Sequence, residues 1–301
     1  MDIKKNAPIS VISIQGQNCT GCVTSTLCSE YPSIKNLLLG DIIPGYKLEF
    51  VFHPNIMTAS GKLAIEMLEN AAKKKGYVLI IDGAIPTASN GVYCITGEKD
   101  GKKYTILEET LKLSPDAMIV IALGTCASFG GIAAGNPNPT GAQSVDDVFS
   151  ANNIKTPLIN IPGCPPHPDW LFGTIEEILT RGLENVQLDD FKRPKTYFGK
   201  LIHENCPNRA YFDEGKFAKK LGDEGCLYEL GCKGPITYAD CPKRLWNGRT
   251  NWVIGCGAPC NSCTSPEYPD FLGDFYERII DLEVPANKRK AKIQENKFLG
   301  R

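Results

Sequence analysis

Five short runs of consecutive apolar residues in the first half of the chain set the strongest limit on its fold. They are rich in Val and Ile, and they lie at Ile9–Gln15, Leu48–His53, Tyr77–Asp82, Ala117–Leu123 and Leu158–Ile161. Continuous apolar runs of this length are typical of parallel strands that are buried on both faces. We therefore expect these runs to form the strands of one buried sheet.

Segments with a helical spacing of apolar residues separate these runs. They lie at Ala59–Lys75, Thr105–Leu113 and Trp170–Thr180, and Asp169 stands where an N-cap would begin the last of them. An alternation of strands and helices is the pattern of α/β proteins. The first half is therefore predicted to be a doubly wound parallel sheet.

The second half has a different character. Clear periodicity ends after about Val186, and Gly, Pro, Asn and Cys become dense from His203 to Pro269. Such a stretch buries too little apolar surface to order itself, and bound metal is a common substitute for a large core. We predict two domains, residues 1–186 with the sheet and residues 187–301 with loops ordered around metal.

The overall composition excludes several classes of function. The net charge is −1 over 301 residues, which gives no basic surface for nucleic acid. The longest apolar runs, such as Met118–Leu123, are too short to span a bilayer. No export segment is recognisable at Met1–Pro8. The expected location is the cytoplasm, or the periplasm if the sequence is a processed form.

Thirteen cysteines are the unusual feature of the composition. An odd number of cysteines without an export segment favours metal or redox chemistry over a disulfide framework. Cys28 and Cys94 stand outside any ligand pattern, and we expect them to be small buried residues rather than ligands.

Four cysteines follow predicted strands of the first half. Cys19 and Cys22 follow the first run, Cys126 follows the fourth, and Cys164 follows the fifth. Because sites in open parallel sheets form beyond the carboxyl ends of the strands, these thiols should meet at one edge. A Cys-X-X-Cys pair alone also suits a thioredoxin-like redox pair or half of a zinc site. Four cysteines after three strands favour the ligand set of a [4Fe–4S] cluster.

Two further sets lie in the second half. One imidazole and three thiolates make up the first, which comprises His203, Cys206, Cys226 and Cys232. Three thiolates make up the second, which comprises Cys241, Cys260 and Cys263. Three thiolates suit a [3Fe–4S] cluster, or a [4Fe–4S] cluster if the nearby Cys256 is the fourth ligand. The spacing of these residues alone does not exclude a zinc site in this half, since three cysteines and one histidine are a common ligand set of structural zinc.

Long ordered motifs, spread over nearly the whole chain, carry a family resemblance. They lie at Cys19–Cys22, Gly83–Thr87, Gly124–Ala127, Pro162–Trp170, His203–Cys206, Gly231–Pro235 and Pro259–Cys263. With these motifs the chain resembles the small subunit of a [NiFe] hydrogenase. The pattern around Tyr93 and Cys94 is similar to the selenium-containing [NiFeSe] branch.

The resemblance implies a flavodoxin-like first domain, a loop-rich second domain and three clusters in a line. The resemblance implies that Cys19, Cys22, Cys126 and Cys164 bind the proximal [4Fe–4S] cluster. It implies that His203, Cys206, Cys226 and Cys232 bind the distal [4Fe–4S] cluster. The medial cluster, usually [3Fe–4S], falls to the set that begins at Cys241. Family members with a [3Fe–4S] medial cluster often carry proline where Val253 stands, so the nuclearity and the role of Cys256 stay open.

The resemblance also implies a function. The nickel–iron centre belongs to a separate large subunit, so this chain holds no catalytic residue of its own. It would conduct electrons between that centre and a carrier such as a ferredoxin, flavodoxin or cytochrome during reversible H₂ oxidation. The alternative is the electron-transfer subunit of a related quinone-reductase-type complex, which would lack the segment from His203 to Cys263.

Overall fold

The computed structural model describes residues 8–270, 272 and 275–279. The chain divides into two compact units, Met1–Gly199 and Lys200–Arg301. Residues 187–199 belong to the first unit, where the backbone N–H of Asn160 donates to the carbonyl oxygen of Lys192 at 2.9 Å. The two units are described in turn.

A five-stranded parallel sheet forms the centre of the first unit. Its strands are β1 (Ile9–Gln15), β2 (Leu48–Phe52), β3 (Val78–Asp82), β4 (Ile119–Leu123) and β5 (Leu158–Ile161). They are arranged in the order β2-β1-β3-β4-β5, with every neighbouring pair parallel. This is the flavodoxin-like strand order. The predicted fold class is confirmed, because each apolar run forms one strand of the sheet.

The strands end at a common level on the carboxyl edge. Gln15 of β1 pairs with Asp82 of β3, Asp82 pairs with Leu123 of β4, and Leu123 pairs with Ile161 of β5. The loops that follow these four strands therefore begin side by side. This register is what brings distant cysteine motifs to one place.

Helices connect the strands of the first unit. They are α1 (Gly21–Leu27), α2 (Ile34–Leu39), α3 (Gly61–Ala72), α4 (Ile106–Leu113), α5 (Gly124–Phe129), α6 (Val145–Ala151), α7 (Pro168–Arg181) and α8 (Lys195–Phe198). The three predicted helices correspond to α3, α4 and α7. Two short antiparallel pairs join Ile85–Pro86 to Ala142–Gln143, and Ile95–Lys99 to Lys102–Thr105.

The start of α7 differs from the sequence-based prediction. His167, not Asp169, is the N-cap residue, and its Nδ1 atom accepts a hydrogen bond from the backbone N–H of Asp169 at 3.1 Å. Asp169 lies in the first turn instead, where a carboxylate is favoured by the helix dipole. Pro168 at the first helical position explains the shift, since proline lacks the N–H that is unsatisfied there.

One apolar cluster packs the sheet against its helices. Strand side chains such as Ile12, Leu79 and Val120 are fully buried, and they pack with Ile106 of α4 and Phe149 of α6. Burial of apolar area at roughly 25 cal/mol per Å² makes such a cluster the main stabilising term of the unit. It fixes the strand ends and with them the carboxyl-edge loops.

The second unit is rich in loops, as predicted. Its described helices are short, namely α9 (Arg209–Asp213), α10 (Cys241–Arg244) and the 3₁₀ turns Ile202–Asn205, Leu227–Leu230 and Gly234–Ile236. Buried side chains in this unit include Trp252, Ile254 and Tyr268. Within the described part of the chain, no helix has the length and apolarity that crossing a membrane requires.

Candidate metal centres

The carboxyl-edge loops of the first unit hold the first cysteine set. Burial raises the pKa of the Cys22 thiol, and the nearby Cys126 and Cys19 raise it further. Burial likewise raises the pKa of the Cys126 thiol, and Cys164 adds to that shift. These mutual electrostatic effects are short-ranged, so the structure brings together the four cysteines that the sequence separates.

Hydrogen bonds between the loops hold this arrangement. The backbone N–H of Gly163 donates to Thr125 Oγ1 at 2.8 Å, and the backbone N–H of Thr125 donates back to the Gly163 carbonyl at 3.0 Å. The buried Ser25 hydroxyl of α1 donates to the carbonyl of Pro166 at 2.7 Å. The loops after β1, β4 and β5 are therefore tied to one another by polar contacts beside the thiols.

The backbone approaches one of these sulfurs too closely for any side chain at that position. Gly124 has a φ of +86°, and a Cβ atom there would lie 2.4 Å from the Cys22 sulfur. The backbone N–H groups of Ile132 and Ala133 donate to the Cys126 sulfur and lower its pKa against the effect of burial. Amide donors of this kind stabilise thiolates and cluster sulfur, so the first set fits an iron–sulfur group.

A buried carboxylate lies beside the first set. Asp82 ends β3, accepts a hydrogen bond from Asn18 Nδ2 at 3.0 Å, and accepts another from the Cys22 thiol. Burial raises the pKa of Asp82 to about 6. Among the described residues, no donor reaches its buried Oδ1 atom. Its charge is one of the causes that raise the pKa of Cys22.

The second set lines one cavity of the second unit. His203, Cys206, Cys226 and Cys232 all border this small cavity. The Nε2 atom of His203 is buried and has no hydrogen-bond partner within the described residues. Burial lowers the pKa of His203, and the positive charge of Arg209 lowers it further. A neutral imidazole with a buried, unpartnered nitrogen is suited to bind metal.

Four cysteines of the second unit share one local geometry. The backbone N–H two residues further along the chain donates to the cysteine sulfur and lowers its pKa against the effect of burial. The pairs are Cys206 with Asn208, Cys226 with Tyr228, Cys232 with Gly234, and Cys260 with Ser262. Because the thiolate is the form that binds metal, these amides would favour metal binding at the four sulfurs.

The third set has one buried and two partly buried thiols. Burial raises the pKa of Cys260 to about 11 and raises that of Cys241 well above its usual value, and the neighbouring Cys263 contributes to both shifts. The Trp246 indole N–H donates to the Cys241 sulfur and opposes the shift. Cys256 is exposed, and its backbone N–H donates to the Trp252 carbonyl in a turn.

Some contacts to these sulfurs were not predicted from the sequence. Trp246 contacts the Cys241 sulfur and Thr237 contacts the Cys260 sulfur across loops, and no local motif marks either residue. Ser262 lies inside the Cys-X-X-Cys segment Cys260–Cys263, so the contact of its backbone N–H with the Cys260 sulfur could have been predicted from the sequence. Cys28 is exposed at the end of α1 and not buried as expected, whereas Cys94 is partly buried.

None of the three sets has the geometry of a mononuclear site. Among the residues that the structure describes, no three Cys, His, Asp or Glu side chains converge closely enough to hold a single metal ion. Ligands of a polynuclear cluster each bind a different iron atom and stand farther apart than the ligands of one ion.

Comparisons with known proteins connect the fold and these sites to a family. Residues 198–276 match the C-terminal family of the NiFe/NiFeSe hydrogenase small subunit, and residues 19–178 match NADH ubiquinone oxidoreductase, 20 Kd subunit. The periplasmic [NiFeSe] hydrogenase small subunit of Desulfomicrobium baculatum is 45% identical, over 90% of this chain and 87% of the relative. The periplasmic [NiFe] hydrogenase small subunit 1 of Nitratidesulfovibrio vulgaris is 40% identical, over 89% of this chain and 82% of the relative.

Solved structures agree with these sequence comparisons. The recombinant [NiFeSe] hydrogenase from Desulfovibrio vulgaris Hildenborough superposes with a TM-score of 0.84 at 42% identity, covering 90% of this chain and 98% of that one. An actinobacterial-type NiFe-hydrogenase from Ralstonia eutropha H16 gives a TM-score of 0.83 at 27% identity, covering 98% of this chain and 91% of that one.

A flavodoxin-like sheet with a thiol-rich edge, followed by a loop-rich unit with two more candidate ligand sets, is the pattern of an iron–sulfur electron-transfer subunit. The chain belongs to the family of NiFe/NiFeSe hydrogenase small subunits. Members carry iron–sulfur clusters and pair with a large subunit to form the hydrogenase. The expected similarity to the [NiFeSe] branch is confirmed. The names of the relatives support the periplasmic alternative and give no support to a cytoplasmic location.

Proposed function

We propose that this chain conducts electrons through three iron–sulfur clusters, between the nickel–iron site of a large subunit and an external redox carrier. Each bound cluster would supply a one-electron transfer without breaking bonds in the protein. The observation that carries the proposal is the cavity of the second unit, which is bordered by three cysteines and by a histidine whose buried Nε2 atom has no partner within the described residues.

The proximal [4Fe–4S] cluster is assigned to Cys19, Cys22, Cys126 and Cys164. Support comes from the mutual effects of these thiols on their pKa values, and from the amides of Ile132 and Ala133 that donate to one of them. The level strand ends explain why these positions, up to 145 residues apart (164 − 19), share one edge.

The distal [4Fe–4S] cluster is assigned to His203, Cys206, Cys226 and Cys232. Their common cavity and the amide donors to the three sulfurs support this assignment. The neutral imidazole makes the cluster less negative than four thiolates would, which favours a higher potential.

The medial cluster is assigned to Cys241, Cys260 and Cys263. Cys263 is close enough to raise the pKa values of both Cys241 and Cys260, which favours a [3Fe–4S] cluster bound by these three thiolates over a [4Fe–4S] cluster with Cys256 as fourth ligand. The backbone N–H of Cys260 donates to the sulfur of Cys232, so a medial ligand and a distal ligand are joined by one hydrogen bond. This bond offers a short route for electrons between the two clusters.

The periplasm is the proposed location, as the names of two relatives state for those proteins. The proposed carrier is a small redox protein such as a ferredoxin, flavodoxin or cytochrome. No observation favours the quinone-reductase alternative for the whole chain. The match over residues 19–178 concerns the first unit, whereas residues 198–276 match a hydrogenase family.

Metal analysis of the heterodimer, purified without air, tests this function. We expect about eleven or twelve irons in the clusters of this chain, with matching acid-labile sulfide. A Cys226→Ser variant should lose about four of these irons, whereas the matched Cys94→Ser variant should lose none. One or two zinc ions without sulfide would overturn the electron-transfer proposal.

A further inference from the structure

A chain of buried hydroxyl groups ends at the Cys260 sulfur. Ser265 Oγ lies 2.6 Å from Ser262 Oγ, which lies 2.8 Å from Thr237 Oγ1, which in turn lies 3.7 Å from Cys260 Sγ. The exposed fractions of these hydroxyl residues are 1% for Thr237, 0% for Ser262 and 3% for Ser265. Buried hydroxyls cost free energy unless each takes part in hydrogen bonds, so three in succession need an explanation.

The donor–acceptor direction of these hydroxyl hydrogen bonds depends on whether Cys260 is a thiol or a thiolate. In the thiol form, the Cys260 S–H donates to Thr237 Oγ1, and the Thr237 hydroxyl donates to the Lys233 carbonyl at 2.6 Å. An iron-bound cysteine is a thiolate and can only accept. The Thr237 hydroxyl can then donate to the sulfur, while the Ser262 hydroxyl donates to Thr237 and the Ser265 hydroxyl donates to Ser262. Hydrogen bonds aligned in one direction polarise and strengthen one another.

A second donor reaches the same sulfur. The backbone N–H of Ser262 donates to Cys260 Sγ at 3.4 Å. Cys260 would therefore accept one amide and one hydroxyl in the thiolate form, in surroundings from which water is excluded. Donors to ligand sulfur stabilise the more negative state of a cluster, and the low dielectric of a buried site enlarges this effect.

We propose that Thr237, with Ser262 and Ser265 behind it, is a positioning residue that raises the reduction potential of the medial cluster. The inference rests on the proposed function, because it requires a cluster on Cys260. The step concerned is the uptake and release of one electron by that cluster. The hydroxyl hydrogens reorient, no covalent bond is broken, and no proton leaves the hydroxyl chain.

A structural role alone would predict something different. If Thr237 only closed the turn through the Lys233 carbonyl, its loss would lower stability without a systematic effect on the potential. Ser265 separates the two explanations, because its hydroxyl acts on the sulfur only through the other two hydroxyls.

The test is a redox titration of the anaerobically purified heterodimer, followed by the EPR signal of the medial cluster. In Thr237→Val we expect reduction to be about tenfold less favourable, a fall in midpoint potential of about 59 mV for one electron. Thr237→Ser keeps the hydroxyl and should stay at the parental potential. Ser265→Ala should shift the potential in the same direction by a smaller amount.

Two failures have different meanings. A parent protein with no medial-cluster signal and no iron beyond the other two clusters would overturn the proposed function and this inference with it. A parental signal with equal midpoint potentials in Thr237→Val and Thr237→Ser would overturn this inference alone. If Thr237→Val does not fold, an unchanged potential in Ser265→Ala has the same consequence.

Discussion

The backbone N–H of Lys233 donates to the carbonyl oxygen of Cys260 at 2.7 Å. The backbone N–H of Cys260 in turn donates to the sulfur of Cys232, the residue before Lys233. Two backbone hydrogen bonds therefore pair the segment that ends the distal ligand set with a segment that carries a medial ligand. The relative position of these candidate ligands thus depends on the backbone rather than on flexible side chains.

The exposed thiol of Cys256 leads to a prediction about the medial cluster. Cys256→Ala should keep the parental iron content and medial EPR signal, because the three proposed ligands Cys241, Cys260 and Cys263 are all retained in this variant. Cys263→Ala is the matched comparison and should lose about three irons. Loss of one iron in Cys256→Ala, with a change from a [4Fe–4S] to a [3Fe–4S] signal, would instead show that Cys256 is a ligand.

Replacing the histidine of the distal set should lower the potential of the distal cluster and change the rate of electron exit. His203→Cys exchanges a neutral ligand for a thiolate, so the cluster gains negative charge and its midpoint potential should fall by on the order of 59 mV, tenfold in the equilibrium. EPR-monitored titration gives the potential, and stopped-flow reduction of an external acceptor gives the rate. A variant with full iron content, a parental potential and a parental rate would contradict the proposed role of His203.

The N-cap of α7 should matter for the loop that carries Cys164. His167→Ala removes the acceptor for the backbone N–H of Asp169, and loss of an N-cap typically costs about 1 kcal/mol. His167→Asn supplies another good N-cap and should retain most of that stability. Thermal unfolding of the holoprotein, with iron content measured in parallel, checks both variants. Equal stability of the two would show that the cap contributes little.

The buried carboxyl of Glu109 in α4 should make stability depend on pH. Burial raises its pKa, the charges of Glu108 and Glu69 raise it further, and those of Lys112 and Lys102 lower it. A raised folded-state pKa favours the folded protein at low pH. This contribution is present below the unfolded-state pKa, near 4.3, and is lost as pH rises through the raised folded-state value.

Glu109→Gln removes this titration, so the variant should become progressively more stable than the parent as the pH rises above about 4.3. Glu98→Gln, at an exposed position of the same unit, is the matched control and should show no such trend. Melting temperatures of the holoproteins at several pH values provide the measurement. A constant difference between Glu109→Gln and the parent would contradict the prediction.

The strands, and the sheet edge at which four cysteines follow them, could be predicted from the sequence for a physical reason. A strand buried on both faces requires an unbroken apolar run, as in Val78–Asp82 and Ile119–Leu123, and parallel strands place their carboxyl ends together. Cysteines that follow such runs must therefore lie at one edge. The assignment of individual cysteines and of His203 to clusters remains a prediction that metal analysis can test.

The tertiary structure alone decided which groups surround the sulfurs. The Ser25 hydroxyl meets the Pro166 carbonyl across 141 positions, and Thr237 meets Cys260 across 23. The N-cap at His167 and the exposure of Cys28 likewise depend on how neighbouring segments pack. Residue patterns record local preference and burial, whereas hydrogen bonds between distant loops depend on the distance and angle that only the folded chain establishes.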